Sequence, residues 1–262
     1  MKGMVIVNRI TKKFNDLRKN SEKAVITFLM AGHPNMQKTH EIILSEESMG
    51  VDIIEIGIPF SDPLADGEII QNAANYSLKN GTKVEDIFLM VENLRKKTEI
   101  PLLFLVYYNI VFNYGNEKFA KKCKEIGIDG LIIPDLPYEE EFELTKYLDD
   151  SIHLIPLVSP TSEKRIEKIV KNKKGFIYFV SSLGTTGQNN AFHEDVIEKI
   201  NKVKEYSNLP ISIGFGIKNR EDYDFFIDYV DGIIIGSKIV ETIEKTGGNI
   251  EKISEVIRMF KQ

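Results

Sequence analysis

Residues 48–57 read SMGVDIIEIG, and the same outline returns twice further along the chain. The counterparts are EIGIDGLIIP (125–134) and DYVDGIIIGS (228–237). In all three an aspartate precedes a short β-branched run. In the first two, Gly50 or Gly127 stands at the position where a helix commonly ends in a glycine with a left-handed backbone conformation. Each stretch therefore predicts a tight turn followed by a buried strand.

The aspartates of this repeat stand at the start of the strands that follow them. They are Asp52, Asp129 and Asp231. In a parallel barrel, polar residues at this bottom end contribute to stability, whereas the chemistry takes place at the opposite end. We therefore expect structural roles for all three aspartates.

Short apolar runs recur along the whole chain, separated by Lys- and Glu-rich segments with apolar residues at helical spacing. The runs are AVITFL (24–29), DIIEIG (52–57), LLFLVYY (102–108), GLIIPD (130–135), HLIPLV (153–158), FIYFVS (176–181), ISIGFG (211–216) and GIIIGS (232–237). Continuously apolar runs are typical of parallel strands buried on both faces. Eight strand–helix units in about 250 residues predict an α/β fold, a closed (β/α)8 TIM barrel with extra helices, and a doubly wound open sheet is the competing arrangement. No linker divides the chain, so residues 1–262 are expected to form a single domain.

Composition and charge exclude several classes of partner and compartment. The net charge is −5 without a long block of one sign, which argues against nucleic acid or an anionic membrane as a partner. The N-terminal stretch MKGMVIVNRITKKF is too polar for a signal peptide, and no apolar run approaches membrane-spanning length. The single cysteine, Cys123, excludes an internal disulfide and is expected to be a buried core thiol. These features predict a cytoplasmic protein.

Glycines stand at the predicted carboxyl ends of the last three strands, the end at which a barrel builds its active site. Gly187 follows the sixth run, Gly216 ends the seventh, and Gly236 and Ser237 end the eighth and precede a helical pattern. Barrels commonly bind phosphate in this region with backbone amides and a helix N-terminus. Glycines that serve only tight turns are the alternative, but three on neighbouring strands favour a phosphate site.

The stretch IIEIGIPFSDPLADG (53–67) carries two candidate catalytic acids. Glu55 has the parity that points into the barrel if Ile54 and Ile56 face the helices. A carboxyl in an apolar interior has a raised pKa, which suits a general acid or base, although a structural carboxylate bonded to backbone is the other interpretation. Asp66 lies in the following loop, where a helix cap or an ordinary turn residue is equally expected.

The residues missing from the predicted strand ends narrow the chemistry. No lysine stands there to form a Schiff base, no histidines have metal-ligand spacing, and no Ser–His elbow is present. Acid–base chemistry by carboxylates on a phosphorylated small molecule remains, with no cofactor and no metal. Phe28, Tyr107 and Tyr178 stand near strand ends and suit a flat apolar ligand, or else fill the core.

The four histidines are scattered along the sequence. His40 lies within a helical pattern and His153 at the start of a run, and both are expected to be structural. His33 and His193 lie in predicted loops, where we expect surface positions or contact with a ligand.

The motifs that carry these residues resemble the α subunit of tryptophan synthase over residues 20 to 260. The resemblance rests on IEIGIPFSDPLADG, YYNIVFNYG, SSLGTTG, GFGI and GSKIV, which occur in that family's order. It implies a (β/α)8 barrel that cleaves indole-3-glycerol phosphate to indole and glyceraldehyde 3-phosphate. YYNIVFNYG resembles the family's loop after the third strand.

The resemblance also implies roles for individual residues. The catalytic glutamate falls on Glu55 and the catalytic aspartate on Asp66. The indole pocket falls on Phe28, Leu105, Tyr107, Ile132 and Tyr178, with Thr186 in the loop after the sixth strand. The phosphate site falls on Gly187, Gly216, Gly236 and Ser237.

The family pairs with a pyridoxal-phosphate β subunit, which implies a heterotetramer of two α and two β subunits. The PFSDPLADG and NIVFN stretches that receive the β subunit are both present. Four residues differ from common choices in the family, and none is a catalytic or phosphate position: Glu68, His33, Ser182 and Thr185.

Two other functions remain open at this stage. One is a barrel with vestigial catalysis that mainly binds and activates a β subunit, and retained Glu55 and Asp66 weigh against it. The other is a different phosphate-binding barrel, such as a sugar-phosphate isomerase, which the specificity of the second-strand motif disfavours.

Overall fold

The chain folds into a parallel α/β barrel wrapped by helices. The computed structural model describes residues 7–159, 162, 165–180, 190–214 (side chains from 194), 217 and 219–261. The strands in these ranges are β1 Ala24–Met30, β2 Ile53–Gly57, β3 Leu102–Leu105, β4 Gly130–Ile132, β5 His153–Leu154, β6 Leu157–Val158, β7 Ile177–Val180, β8 Ile211–Gly214 and β9 Gly232–Ile235. The helices are α1 Arg9–Lys19, α2 Met36–Ser48, α3 Glu68–Lys79, α4 Val84–Leu94, α5 Tyr108–Tyr114, α6 Asn116–Glu125, α7 Phe142–Thr145, α8 Ile166–Val170, α9 Asn190–Tyr206, α10 Arg220–Phe226, α11 Ser237–Thr246 and α12 Ile250–Arg258.

The predicted fifth strand, 153–158, is divided into two, and this division closes the barrel. The sheet order runs β5-β4-β3-β2-β1-β9-β8-β7-β6, so its two edge strands are consecutive in the chain. Only two residues separate them, and the ladder continues across the gap. The Ile155 amide donates to the Leu131 carbonyl at 2.9 Å, and the Tyr178 amide donates to the Pro156 carbonyl at 3.0 Å. Proline has no amide hydrogen to donate, which accounts for the break at Pro156. The predicted barrel is confirmed, and the open sheet is excluded.

Alternation along the strands separates two apolar layers. Ile54 and Ile56 belong to the larger cluster between the strands and the helices, whereas Ile53 belongs to the smaller cluster inside the barrel. Because side chains alternate along a strand, Glu55 shares the inward face with Ile53. The predicted parity of this strand is therefore confirmed.

The aspartates of the sequence repeat cap the bottom of neighbouring strands. Carboxylate oxygens of Asp52, Asp129 and Asp231 each accept a backbone amide, from Val25, Leu102 and Ile211 respectively, at 2.9 Å. Asp129 also pairs with Arg95 at 2.6 Å and Arg9 at 3.0 Å. The structural role expected of the three aspartates is confirmed.

Helix α1 closes the bottom of the barrel, a feature that the strand pattern did not predict. Its residues Ile10, Phe14 and Leu17 belong to the inner cluster, and the Phe14 ring lies 5.5 Å from that of Phe176. The Asn8 side chain fixes the start of α1 by accepting the Ile10 amide and donating to the Asp129 carbonyl. Helix α1 therefore lies across the end of the barrel opposite to the carboxyl ends of the strands, where barrels build their active sites.

The third strand is shorter than predicted. It ends at Leu105 rather than residue 108, and the YYNIVFNYG stretch that resembled a loop forms α5 over Tyr108–Tyr114. No helix in the described parts of the chain is both long enough and apolar enough to cross a membrane.

Candidate active site

Glu55 lies on β2 inside the barrel and is completely buried. Neither carboxyl oxygen has a hydrogen-bond partner among the described residues. Burial raises the pKa of Glu55 to about 8, because the apolar interior disfavours the charged form. The side chain is therefore protonated at neutral pH and has no structural bond to break, which suits a proton donor.

Asp66 lies in the loop between β2 and α3, above the end of the barrel that holds Glu55. Its amide donates to the Pro63 carbonyl at 3.3 Å, and its own carbonyl accepts the Gln71 side chain at 2.8 Å. Burial raises the pKa of Asp66 to about 6, and the nearby Tyr107 hydroxyl partly opposes that rise. The half-buried carboxyl is thus ionised above that pH, unlike Glu55.

Tyr107 connects this loop to the next unit of the barrel. It is the N-cap residue of α5 and is only 3% exposed. Its hydroxyl accepts the Ala65 amide at 3.0 Å, and its ring stacks on Phe60 with centroids 5.1 Å apart. Burial, together with the nearby Asp66 carboxylate, raises the pKa of Tyr107, so the hydroxyl keeps its proton and can donate it.

The pocket wall predicted from the resemblance comes together inside the barrel. Phe28, Leu105, Ile132 and Tyr178 all belong to the inner cluster. Phe28 is paired in register with Glu55. Burial, and after it the charges of Glu55 and Asp66, raises the pKa of Tyr178 well above its usual value.

Two strand glycines make room for these rings and were not singled out as pocket residues. A Cβ atom added to Gly57 would lie 2.6 Å from Cζ of Phe28, and one added to Gly214 would lie 2.5 Å from the Tyr178 hydroxyl oxygen. A glycine inside a β-branched run often marks such a close approach, and this is the signal that could have identified both.

The phosphate end of the predicted site lies at the start of α11. Gly236 is the N-cap residue, Ser237 is the first helical residue, and no side chain caps the first amides. A Cβ atom on Gly236 would lie 3.5 Å from Cβ of Phe28, so Phe28 contacts both this helix end and β2. The other predicted phosphate residues, Gly187 and Gly216, lie outside the described part of the chain, and so does Thr186, which was predicted with the indole pocket.

His33, expected at the surface, is buried instead. It is 4% exposed, and its ring meets Tyr76 of α3 edge-on with centroids 5.3 Å apart. Burial lowers the pKa of His33. Among the other departures from the family, Glu68 begins α3, while Ser182 and Thr185 lie outside the described residues.

The sequence predicts a loop position for His193 and a buried position for Cys123. His193 lies within α9 rather than in a loop. Cys123 is fully buried in the outer cluster, as expected for a core thiol.

A second buried acid, Glu46, lies outside the barrel interior. It is on α2 and accepts the Thr27 hydroxyl at 2.7 Å, while its other oxygen has no described partner. Burial raises the pKa of Glu46 to about 8, as it does for Glu55. A raised pKa alone therefore does not mark the site. What distinguishes Glu55 is its place on the inward face of β2, in register with Phe28 of the inner cluster.

Comparison with known proteins identifies the family and the fold that this chain resembles. A family model described as tryptophan synthase alpha chain matches residues 14–262. The chain is 49% identical over 251 residues to the tryptophan synthase alpha chain of Thermoanaerobacter pseudethanolicus, covering 95% of this chain and 96% of that protein. It is 48% identical to that of Alkaliphilus metalliredigens, covering 96% of each. A tryptophan synthase subunit alpha structure from Campylobacter jejuni superposes with a TM-score of 0.84 at 38% identity, covering 94% of this chain and 98% of that one.

Proposed function

Because the chain belongs to the tryptophan synthase alpha chain family, whose members cleave indole-3-glycerol phosphate, we propose that Glu55 and Asp66 carry out that cleavage. The reaction breaks a carbon–carbon bond and releases indole and glyceraldehyde 3-phosphate. The observation that carries the assignment is the Glu55 carboxyl, which is buried inside the barrel with neither oxygen bonded among the described residues.

The cleavage needs an electron sink, and the indole ring of the substrate supplies it. Glu55 is protonated at neutral pH and donates its proton to C3 of the indole, forming an indolenine cation. The resulting Glu55 carboxylate then accepts the proton of the substrate hydroxyl, directly or through water. As that proton leaves, the carbon–carbon bond breaks, its electrons restore the indole, and the hydroxyl carbon becomes the aldehyde.

Asp66 acts in the opposite protonation state. With a pKa of about 6, its carboxylate is ionised at neutral pH and accepts the indole N–H. Positive charge grows on that nitrogen when C3 is protonated, and a fixed carboxylate stabilises it. The pKa of Asp66 is thus lower than that of Glu55, so at neutral pH Asp66 is ionised and Glu55 is protonated, as the mechanism requires.

The rest of the proposed site positions the substrate. Phe28, Leu105, Ile132 and Tyr178 enclose the flat indole, and Thr186 adds to this end. The amides at the start of α11 and the Ser237 hydroxyl bind the phosphate, as helix N-termini do. Gly187 and Gly216 belong to this phosphate site by their place in the sequence.

An apolar surface near the site is the proposed docking face for a β subunit. Leu64 is 93% exposed, Phe112 67% and Phe142 69%, and they follow β2, β3 and β4 respectively. Loops after consecutive parallel strands lie at the same end of a barrel, and exposed apolar residues at one place mark an interaction surface. We propose an α2β2 heterotetramer in the cytoplasm, with residues 1–262 of this subunit forming one domain that needs no cofactor of its own.

The assay that tests the function measures indole release from indole-3-glycerol phosphate by the purified chain, with and without a β subunit. We expect release in both cases and faster release with the partner. A chain that activates a β subunit but releases no indole in either case would instead match the vestigial barrel, which the retention of Glu55 and Asp66 disfavours.

A further inference from the structure

Tyr107 stands between the catalytic loop and the helix that follows the next strand. A phenol hydroxyl has one proton to donate and lone pairs that accept. Here it accepts the amide of Ala65, the residue directly before Asp66, at 3.0 Å. The hydroxyl therefore holds the loop beside Asp66, and its own proton remains to be donated to the carboxyl of that next residue.

The ring that carries this hydroxyl is held firmly. It is 3% exposed and stacks on Phe60 of the same loop at an interplanar angle of 24°. Its backbone caps α5, and the next amide, that of Tyr108, donates to the Asp135 carboxylate at 2.8 Å. The position of the hydroxyl is therefore set by β3, α5 and the loop after β4, together with Phe60 of the catalytic loop.

We propose that Tyr107 is a positioning residue that orients Asp66, in addition to lining the indole pocket. Its hydroxyl engages the Asp66 carboxylate, which has two oxygens and accepts more than one hydrogen bond, so the indole N–H can be accepted as well. Its ring stacks on Phe60 and its hydroxyl holds the Ala65 amide, so Tyr107 fixes the loop segment that leads into Asp66. This inference rests on the proposed function, since it is the lyase reaction that requires Asp66 at the indole nitrogen.

The same contact joins Asp66 to the proposed docking face. Tyr107 directly precedes α5, and α5 exposes Phe112 on that face. A partner that shifts or rigidifies α5 therefore reaches Asp66 through one residue. Activation by a β subunit should depend on the Tyr107 hydroxyl.

The test compares Tyr107→Phe with Tyr108→Phe. The first substitution keeps the stacked ring and removes the hydroxyl from Asp66. The second removes the neighbouring hydroxyl of Tyr108, which accepts a hydrogen bond from the Asn116 side chain at 2.9 Å. The Asp66 carboxyl is followed by carbon-13 NMR titration, with its signal identified by its loss in Asp66→Asn, and kcat and KM are measured for indole release with and without a β subunit.

In Tyr107→Phe we expect the Asp66 carboxyl to titrate at a higher pH than in the wild type, because the hydroxyl that favours its ionised form is removed. We also expect kcat to fall about tenfold to a hundredfold, the range for a lost hydrogen bond to a charged group, with a smaller change in KM and weaker activation by the partner. Tyr108→Phe should match the wild type in titration and in activity without the partner.

Two results would overturn the inference. One is an unchanged Asp66 titration in Tyr107→Phe, and the other is an equal loss of kcat in Tyr108→Phe. Absence of indole release by the wild type would refute the lyase function instead, and the titration would still decide whether Tyr107 holds Asp66.

Discussion

The proposed mechanism requires the Glu55 carboxyl, and the burial of this group lowers the stability of the fold. We expect Glu55→Gln to fold and to lose about 10²–10⁴ of the lyase rate, the usual contribution of a positioned acid–base group. The amide keeps the shape of the side chain but cannot donate a proton to carbon. Indole release measures the loss, and circular dichroism checks the fold. Turnover near that of the wild type would remove Glu55 from the mechanism.

Glu46 provides a matched control, because it is equally buried and has a similarly raised pKa. For both acids the folded pKa lies above the unfolded value, so between about pH 4.5 and 8 the unfolded state releases a proton that the folded state keeps. Stability therefore falls as pH rises through this window. Replacing either glutamate with glutamine should raise the free energy of unfolding, by up to about 4 kcal/mol near pH 8 and by little near pH 4. Denaturant unfolding at the two pH values measures this, and Glu46→Gln should keep full activity.

The pair of acids also predicts the pH profile. Asp66 must be ionised and Glu55 protonated, and burial raises their pKa values to about 6 and about 8. The profile of kcat/KM, which reports the free enzyme, should be a bell that rises through the first value and falls through the second. The substrate phosphate also titrates near pH 6, so binding of glycerol phosphate should be measured in parallel. Activity that stays level up to pH 10 would contradict a protonated Glu55.

At the scale of one element, the start of α11 should decide phosphate affinity. Gly236 is the N-cap residue of α11, and no side chain bonds to the first amides of this helix. The branched side chain of Gly236→Val should exclude the anion from these amides and raise KM about tenfold or more. Gly236→Ala is the control, because the Cβ atom that it adds would lie 3.5 Å from Cβ of Phe28, an ordinary van der Waals contact. Calorimetry with glycerol phosphate separates binding from chemistry. If the valine variant binds as tightly as the alanine variant, the phosphate lies elsewhere.

The elements differ in how far the sequence predicts them. The second strand and the inward direction of Glu55 were predictable from the alternation of side chains along a strand. The turn before that strand was predictable from Gly50, whose φ of +88° favours glycine. The break of the fifth strand at Pro156 and the shortening of the third at Leu105 depend on the pairing of neighbouring strands, which local propensity does not contain.

Site residues whose role depends on distant contacts were less predictable. The contacts of Gly57 and Gly214 with aromatic rings come from other strands. The burial of His33 results from helix α3 packing over the first loop, and Tyr76, which meets its ring, is 43 residues away in sequence (76 − 33).

For the whole molecule, the central expectation is that a partner acts on Asp66. Its loop carries Leu64, which is 93% exposed on the proposed docking face, and it is bounded by Gly57 and Gly67. Glycine allows hinge motion at both ends of the loop, so binding of a β subunit should select the arrangement in which Asp66 meets the indole nitrogen. Turnover should therefore rise more than substrate affinity.

Asp66→Asn tests this coupling, because asparagine keeps the shape of the side chain but lacks the charge that stabilises the indolenine. We expect it to be poorly active with or without the partner, whereas the wild type gains turnover when a β subunit is added. The measurement is the lyase rate of both proteins, each alone and with saturating β subunit. Coupling through Asp66 would be wrong if the wild type gains nothing, or if the partner restores Asp66→Asn to the wild-type rate. A rescued variant would mean that docking supplies the missing stabilisation from another group.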